Sequence, residues 1–126
     1  MPSMKSDKTV SIARLKLILR QFRDKRNWAQ FHDPKNLAEA ITIEASELLE
    51  LFLWKRPEEI ERLVKSDKPF KMEVENELAD VFCFALNLAN SLDLDVSTIV
   101  QRKINRNARH YPVRKARGTA AKYTQL

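Results

Sequence analysis

Apolar residues recur at helical spacing along most of the chain. Ile12, Leu15, Leu19 and Phe22 form one stripe, which predicts a helix from about Thr9 to Lys25. The stretch "FHDPKN" breaks it, with Asp33 placed as an N-cap and Pro34 as the first residue of the next helix. That second helix carries Leu37, Ile41, Ala45, Leu48 and Phe52 on one face and runs to about Trp54. "KRPEE" ends it and leads into a short helical turn through Leu63. A third helix is expected from near Pro69 to about Ser91, and a fourth, capped by Asp95, should stop before Pro112. The tail from Val113 has no clear periodicity. The short third-to-fourth connection implies antiparallel neighbours, so the expected fold is all-α: a four-helix bundle in one domain, 1–126, with a basic tail at about 113–126.

Two of these stripes are interrupted by acid. Glu44 lies three residues after Ile41 and four before Leu48; Glu47 falls between Ile43 and Leu51. The third helix repeats the pattern in "ENELADVFCF": Glu77 lies between Val74 and Val81, and Asp80 one turn before Phe84. Glu44/Glu47 and Glu77/Asp80 are each spaced i, i+3, so each pair projects from one helix face. Pairing with buried Arg or Lys would account for one such acid. Four of them strain that account, because each uncompensated buried charge costs several kcal/mol against a total stability of roughly 5–15 kcal/mol. A strong positive charge between the helices is expected instead. Oxygen-only donors favour a hard divalent ion, Mg²⁺ with Mn²⁺ as the substitute. Neither Glu44 nor Glu77 has the His at i+3 that di-iron bundles use, and lone Cys83, His32 and His110 have no zinc-ligand spacing.

Composition narrows the picture further. One Gly among 126 residues suits helices rather than a sheet. A single Cys excludes an internal disulfide and fits a reducing, cytoplasmic setting. No segment is long and apolar enough to span a bilayer, and no signal-peptide run is present, so a membrane is not an expected partner. The net charge of +6 is uneven: twelve acids face six bases between Glu39 and Asp80, whereas eight bases and no acid follow Gln101. Within that basic region Lys103, Asn107 and Tyr111 recur at i, i+4, i+8, with Arg106 and His110 on the flank. Such a row is plain helix surface unless a polyanion meets it; beside an anionic metal cage it suits a triphosphate.

The elements "NWAQFHDPKNL", "IEASELLELFLWK", "ENELADV", "KINRNARHYP" and "RGTAAKYTQL" together resemble the MazG-like nucleotide pyrophosphohydrolases, in particular their dCTP pyrophosphatase branch. The resemblance covers about Leu15 to Leu126. It implies Mg²⁺-dependent hydrolysis of a (deoxy)nucleoside triphosphate, dCTP or a relative, to the monophosphate and pyrophosphate, removing it from the nucleotide pool. It also implies metal ligation by Glu44, Glu47, Glu77 and Asp80, phosphate contacts from Lys103 and Asn107, and a substrate pocket that includes Trp28, His32, Trp54, Phe84 and Tyr111. Glu47 is the expected base for the attacking water and Lys103 the group that steadies the departing phosphates. Read on their residues alone, Trp28 and Trp54 would be core anchors; their places beside polar chain breaks also allow stacking.

Three positions depart from the branch: Leu19 where a His is expected, Phe84 where a Tyr is expected, and His110 in place of an Arg. The first two put the dCTP preference in doubt more than the chemistry. "DVFCFALNLA" is apolar nearly all round its helix, more than one bundle needs, so a homodimer or a dimer of dimers is expected, with Cys83 as packing. Two other functions compete. A phosphoribosyl-ATP pyrophosphohydrolase would share the acids without explaining the paired Trp elements. A basic nucleic-acid-binding module would explain the tail and the pI near 9.6, but would leave four acids repelling phosphate; nucleic acid is therefore not the expected partner.

Overall fold

The helix starts follow from their caps. The computed structural model describes residues 5–126. Ser11 accepts a hydrogen bond from the Arg14 backbone N–H and opens α1 (Ile12–Lys25). Asp33 does the same for Asn36 at 2.9 Å, with Pro34 first in α2 (Pro34–Phe52). Asp67 caps α4 (Lys68–Ser91) through the Phe70 N–H, and Asp95 caps α5 (Val96–His110) through that of Thr98. The expected Asp33 and Asp95 caps are both in place.

One element is longer than its expectation. The stretch after "KR" is a ten-residue helix, α3 (Pro57–Ser66), and not a single turn. Pro57 opens it, Glu58 and Glu59 sit in its positive first turn, and Lys65 lies near its negative end, where it also meets Glu61. A further short helix, α6 (Val113–Ala116), and a 3₁₀ turn at Tyr123–Gln125 give the tail structure that periodicity did not reveal. No strand occurs among the described residues.

The internal contacts divide the chain after Asp93. In the first unit α4 is the hub, packing most extensively on α2 and also against α1 and α3. Leu37 on α2 and Leu86 and Ala89 on α4 are its buried apolar residues. Asn90 ties α1 to α4: its amide N–H donates to the Lys16 carbonyl at 2.9 Å, and its oxygen accepts from the Arg20 guanidinium at 3.3 Å. Phe52 and Phe70 meet edge to face at 6.3 Å, joining the end of α2 to the start of α4 across α3. The second unit, Leu94–Leu126, is built on α5. No described helix is long and apolar enough to cross a membrane.

Large apolar side chains remain uncovered in the first unit. Leu49 and Phe82 are each 61% exposed, and Met72 is 59% exposed. The all-round apolar character of α4 thus leaves a face that the rest of its unit does not cover.

Candidate active site

The extensive α2–α4 pairing brings the two acidic turns together. Carboxylate oxygens of Glu44, Glu77 and Asp80 lie within 4.8 Å of one another. Glu47 stands outside that mutual set, but shares protons with Glu44 and Glu77 and acts on both through its charge. Glu44 and Glu77 are half-buried, and each has one carboxylate oxygen, Oε2, that is buried with no hydrogen-bond partner. No Arg or Lys forms an ion pair with any of the four; the ion pairs among described residues lie elsewhere, at Asp24, Glu39, Glu61 and Glu75.

The electrostatic consequence is large. Desolvation first, then proton sharing with Glu47 and Glu77 and the charges of Glu47 and Asp80, push the Glu44 carboxyl up to about 7. At Glu77 a hydrogen bond with Glu44 lowers the pKa, but desolvation and the other two acids outweigh it, leaving the group raised. Oxygen donors that converge, lack a protein cation and resist losing their protons together could hold a metal ion.

Beside Asp80 opens an apolar slot of about 270 Å³. Its walls come from Leu19 and Phe22 on α1, from Trp28, and from Cys83 and Phe84 on α4; Arg23, His32, Asp80 and Asn87 supply the polar groups. Local structure fixes Trp28. Asn27, left-handed at φ 53°, ends α1 in a Schellman motif: its N–H donates to the Asp24 carbonyl and that of Trp28 to the Arg23 carbonyl. The Trp28 ring then meets Phe22 at 5.9 Å, edge to face. Desolvation, with the Arg23 charge, lowers the His32 pKa and so favours the neutral ring, whose Nδ1 is buried without a partner. Burial and the nearby Asp80 charge raise the Cys83 pKa, which keeps the sulfur a thiol and suits a packing role.

Trp54 does not line this slot. It is 94% exposed and holds φ 64°, following Leu53 at φ −60°, ψ 134°. These angles, with the Lys55 N–H to Phe52 carbonyl bond of 3.1 Å, make a type II turn with Trp at the position that favours Gly. Neither Trp is a core anchor, since Trp28 is itself 43% exposed.

The second unit carries its own polar recess of about 130 Å³. Lys103, Arg106, Asn107, His110 and Tyr111 line it from α5 and its end, and Tyr123 closes it. The Tyr123 ring packs tilted against His110 at 4.3 Å and meets Tyr111 edge to face at 5.9 Å. Lys103, Asn107 and Tyr111, all exposed, thus border one recess.

Sequence reasoning missed Tyr123 and Asn87. Tyr123 had no local signal, standing alone in an aperiodic tail. Asn87 had one: it sits seven residues after Asp80 and three after Phe84, on the same stripe of α4.

A sequence model of the MazG-like family matches residues 40–126. Proteins described as dCTP pyrophosphatase 1 are similar over 106 residues: 39% identical in Bos taurus and 37% in Homo sapiens. That alignment takes in 84% of this chain but 62% of each relative, so the chain spans under two thirds of their length. The crystal structure of a pyrophosphatase from Archaeoglobus fulgidus superposes with a TM-score of 0.75 at 39% identity, over 87% of this chain and 99% of that one.

Proposed function

The chain belongs to the MazG-like family, and from that premise we propose that it is a Mg²⁺-dependent nucleoside triphosphate pyrophosphohydrolase. Its substrate in this reading is dCTP or a related deoxynucleoside triphosphate, and its products are the monophosphate and pyrophosphate. The observation that carries the proposal is the pair of orphaned buried oxygens, Glu44 Oε2 and Glu77 Oε2, beside Asp80. Glu44, Glu77 and Asp80, with Glu47 adjoining, would hold Mg²⁺, Mn²⁺ being the substitute. When bound, the ion supplies charge neutralisation for the phosphates and acidifies a water.

The chain's own residues do the rest. Glu47, exposed on the same helix face, accepts the proton of the water that attacks the α-phosphorus. Lys103 and Asn107 offer a cation and an amide suited to phosphate oxygens, and Tyr111 shares their recess. Trp28, Phe84 and neutral His32 receive the base in a slot largely apolar in its walls. No Cys or His among the described residues joins the acidic cluster, and direct attack by water is preferred to a covalent intermediate.

Assembly belongs to the same proposal. A homodimer, or a dimer of dimers, would cover Leu49, Met72 and Phe82, which are otherwise wet. The strained, exposed Trp54 is supported as a substrate or inter-subunit contact by its cost: an outlier backbone angle persists where something outside the turn uses it. Sedimentation of a stable monomer at micromolar concentration would remove this part.

The reaction is tested by hydrolysis in ¹⁸O-labelled water with Mg²⁺ or chelator, across a panel of nucleotides. Label in the monophosphate, with pyrophosphate released only when metal is present, is the expected result. Orthophosphate with a nucleoside diphosphate would overturn the assignment.

A further inference from the structure

Two asparagines are buried on α4, and they are used differently. Asn90, 8% exposed, spends both ends of its amide on protein: the Lys16 carbonyl and the Arg20 guanidinium. Asn87, 9% exposed, has a buried Oδ1 with no partner. A buried amide left unpaired destabilises the fold, and a native structure retains one where something else is meant to meet it. What Asn87 faces is the slot bounded by Trp28 and Phe84.

The placement along α4 gives the ligand's orientation. Asp80 and Asn87 share a stripe and are separated by two helical turns, about 10 Å along the axis. The acidic cluster lies at the Asp80 end of the slot. A nucleotide with its phosphates at that end would bring its base, one sugar away, between the aromatic walls and its edge to Asn87. Arg23 is already engaged by Asp24 at 2.8 Å. His32 and Asn87 are therefore the neutral polar groups of the slot with an unused buried atom.

Resting on the nucleotide reading above, we propose that Asn87 is a specificity-determining residue whose side-chain amide reads the Watson–Crick edge of the base. An amide offers one acceptor and a pair of donors side by side. It matches an edge with one donor next to one acceptor, such as the 4-amino group and N3 of cytosine. Because no protein group clamps the Asn87 oxygen, the amide can turn by half a revolution and meet a 4-oxo group with equal ease. What it selects for is the presence of that exocyclic group.

The test compares dCTP with the deoxynucleoside triphosphate of pyrimidin-2-one, which lacks the 4-substituent, in the wild type and in Asn87→Ala. Wild-type kcat/KM should fall about tenfold for the analogue, mainly through KM, since one edge hydrogen bond is lost. In Asn87→Ala the two substrates should become nearly equal, the signature of a coupled pair. Calorimetric binding of dCMP without metal, weaker in Asn87→Ala, gives a readout independent of turnover. Hydrolysis with an unchanged KM and an undiminished analogue penalty in Asn87→Ala would overturn the role of Asn87 while leaving the reaction intact. Absent pyrophosphate release with Asn87-dependent dCMP binding would do the opposite, and a protein that binds no dCMP would remove both. Should Asn87→Ala fail to fold, equal kcat/KM for dCTP and the analogue in the wild type would be enough to refute the proposal.

Discussion

Raising the pH from 6 to 8 should tighten Mg²⁺ binding to the acidic cluster, and the size of the effect follows from Glu44. With a carboxyl pushed up to about 7, Glu44 is about nine-tenths protonated at pH 6 and about one-tenth protonated at pH 8. A carboxyl must lose its proton to ligate, so apparent affinity tracks the deprotonated fraction and should rise about tenfold over this interval. Glu77 is raised in the same sense, so its contribution adds to that of Glu44. Calorimetry in two buffers of different ionisation enthalpy would count the protons released. Nearly one per site is expected from Glu44 at pH 6, and almost none at pH 8.

The sign for stability runs the other way in the metal-free protein. A folded-state pKa raised above the ordinary value of 4.5 means that the native state holds its proton more tightly than the unfolded chain. That contribution is fully present below about 4.5 and is lost as the pH rises through about 7. The metal-free melting temperature should therefore fall across this window, and saturating Mg²⁺ should restore more of it at pH 8 than at pH 6. Glu44→Gln should flatten both dependences. Equal Mg²⁺ affinity at the two pH values, with no proton released, would show that these acids do not ligate the ion.

Three further outcomes are expected. Glu77→Gln should shrink the rise in melting temperature that millimolar Mg²⁺ gives the wild type, read by far-UV circular dichroism; an undiminished rise would exclude Glu77 as a ligand. Trp54→Gly should melt no lower than the wild type, because the left-handed turn costs a bulky residue about 1–2 kcal/mol, yet KM should rise by one to two decades if the ring stacks on the substrate, worth about 1–3 kcal/mol; a marked loss of stability with normal KM would reverse the assignment. Asn90→Ala should cost about 1–3 kcal/mol in urea unfolding by orphaning the Lys16 carbonyl and the Arg20 guanidinium, with KM unchanged.

Helix ends were legible because their signals are local. Asp33 and Asp95 cap the helices their spacing implied, and the apolar stripe through Leu37 leads to the buried side of α2. Pro57 was ambiguous for a physical reason: Pro ends a preceding helix and equally opens the next, and only the acids after it and the base in its last turn tip the balance to α3. The acidic residues were visible as breaks in periodicity, but spacing gives a face and not a distance. The mutual approach of Glu44, Glu77 and Asp80, with Glu47 set slightly apart, depends on how α2 and α4 pack. Spacing puts Asn87, and not Asn90, on the stripe of Asp80, but it does not show what either amide meets: α1 supplies partners to Asn90, and the Asn87 oxygen has none.

The positions that break local rules are informative taken together. Glu44 and Glu77 place carboxylates in apolar stripes, Asn87 buries an amide without a partner, and Trp54 holds a backbone angle suited to Gly. Each is destabilising by itself, and a chain with a marginal total stability does not accumulate such features at random. Glu44 and Glu77 adjoin Asp80, and Asp80 and Asn87 line the same slot, so three of the four lie along one continuous path from the acidic cluster to the slot's polar end. A ligand that is polyanionic at one end and a flat, hydrogen-bonding heterocycle at the other would relieve those three at once. Trp54 is the one that a single chain leaves unrelieved, which is why its response to Gly separates a surface used by substrate or partner from a turn that merely tolerates strain.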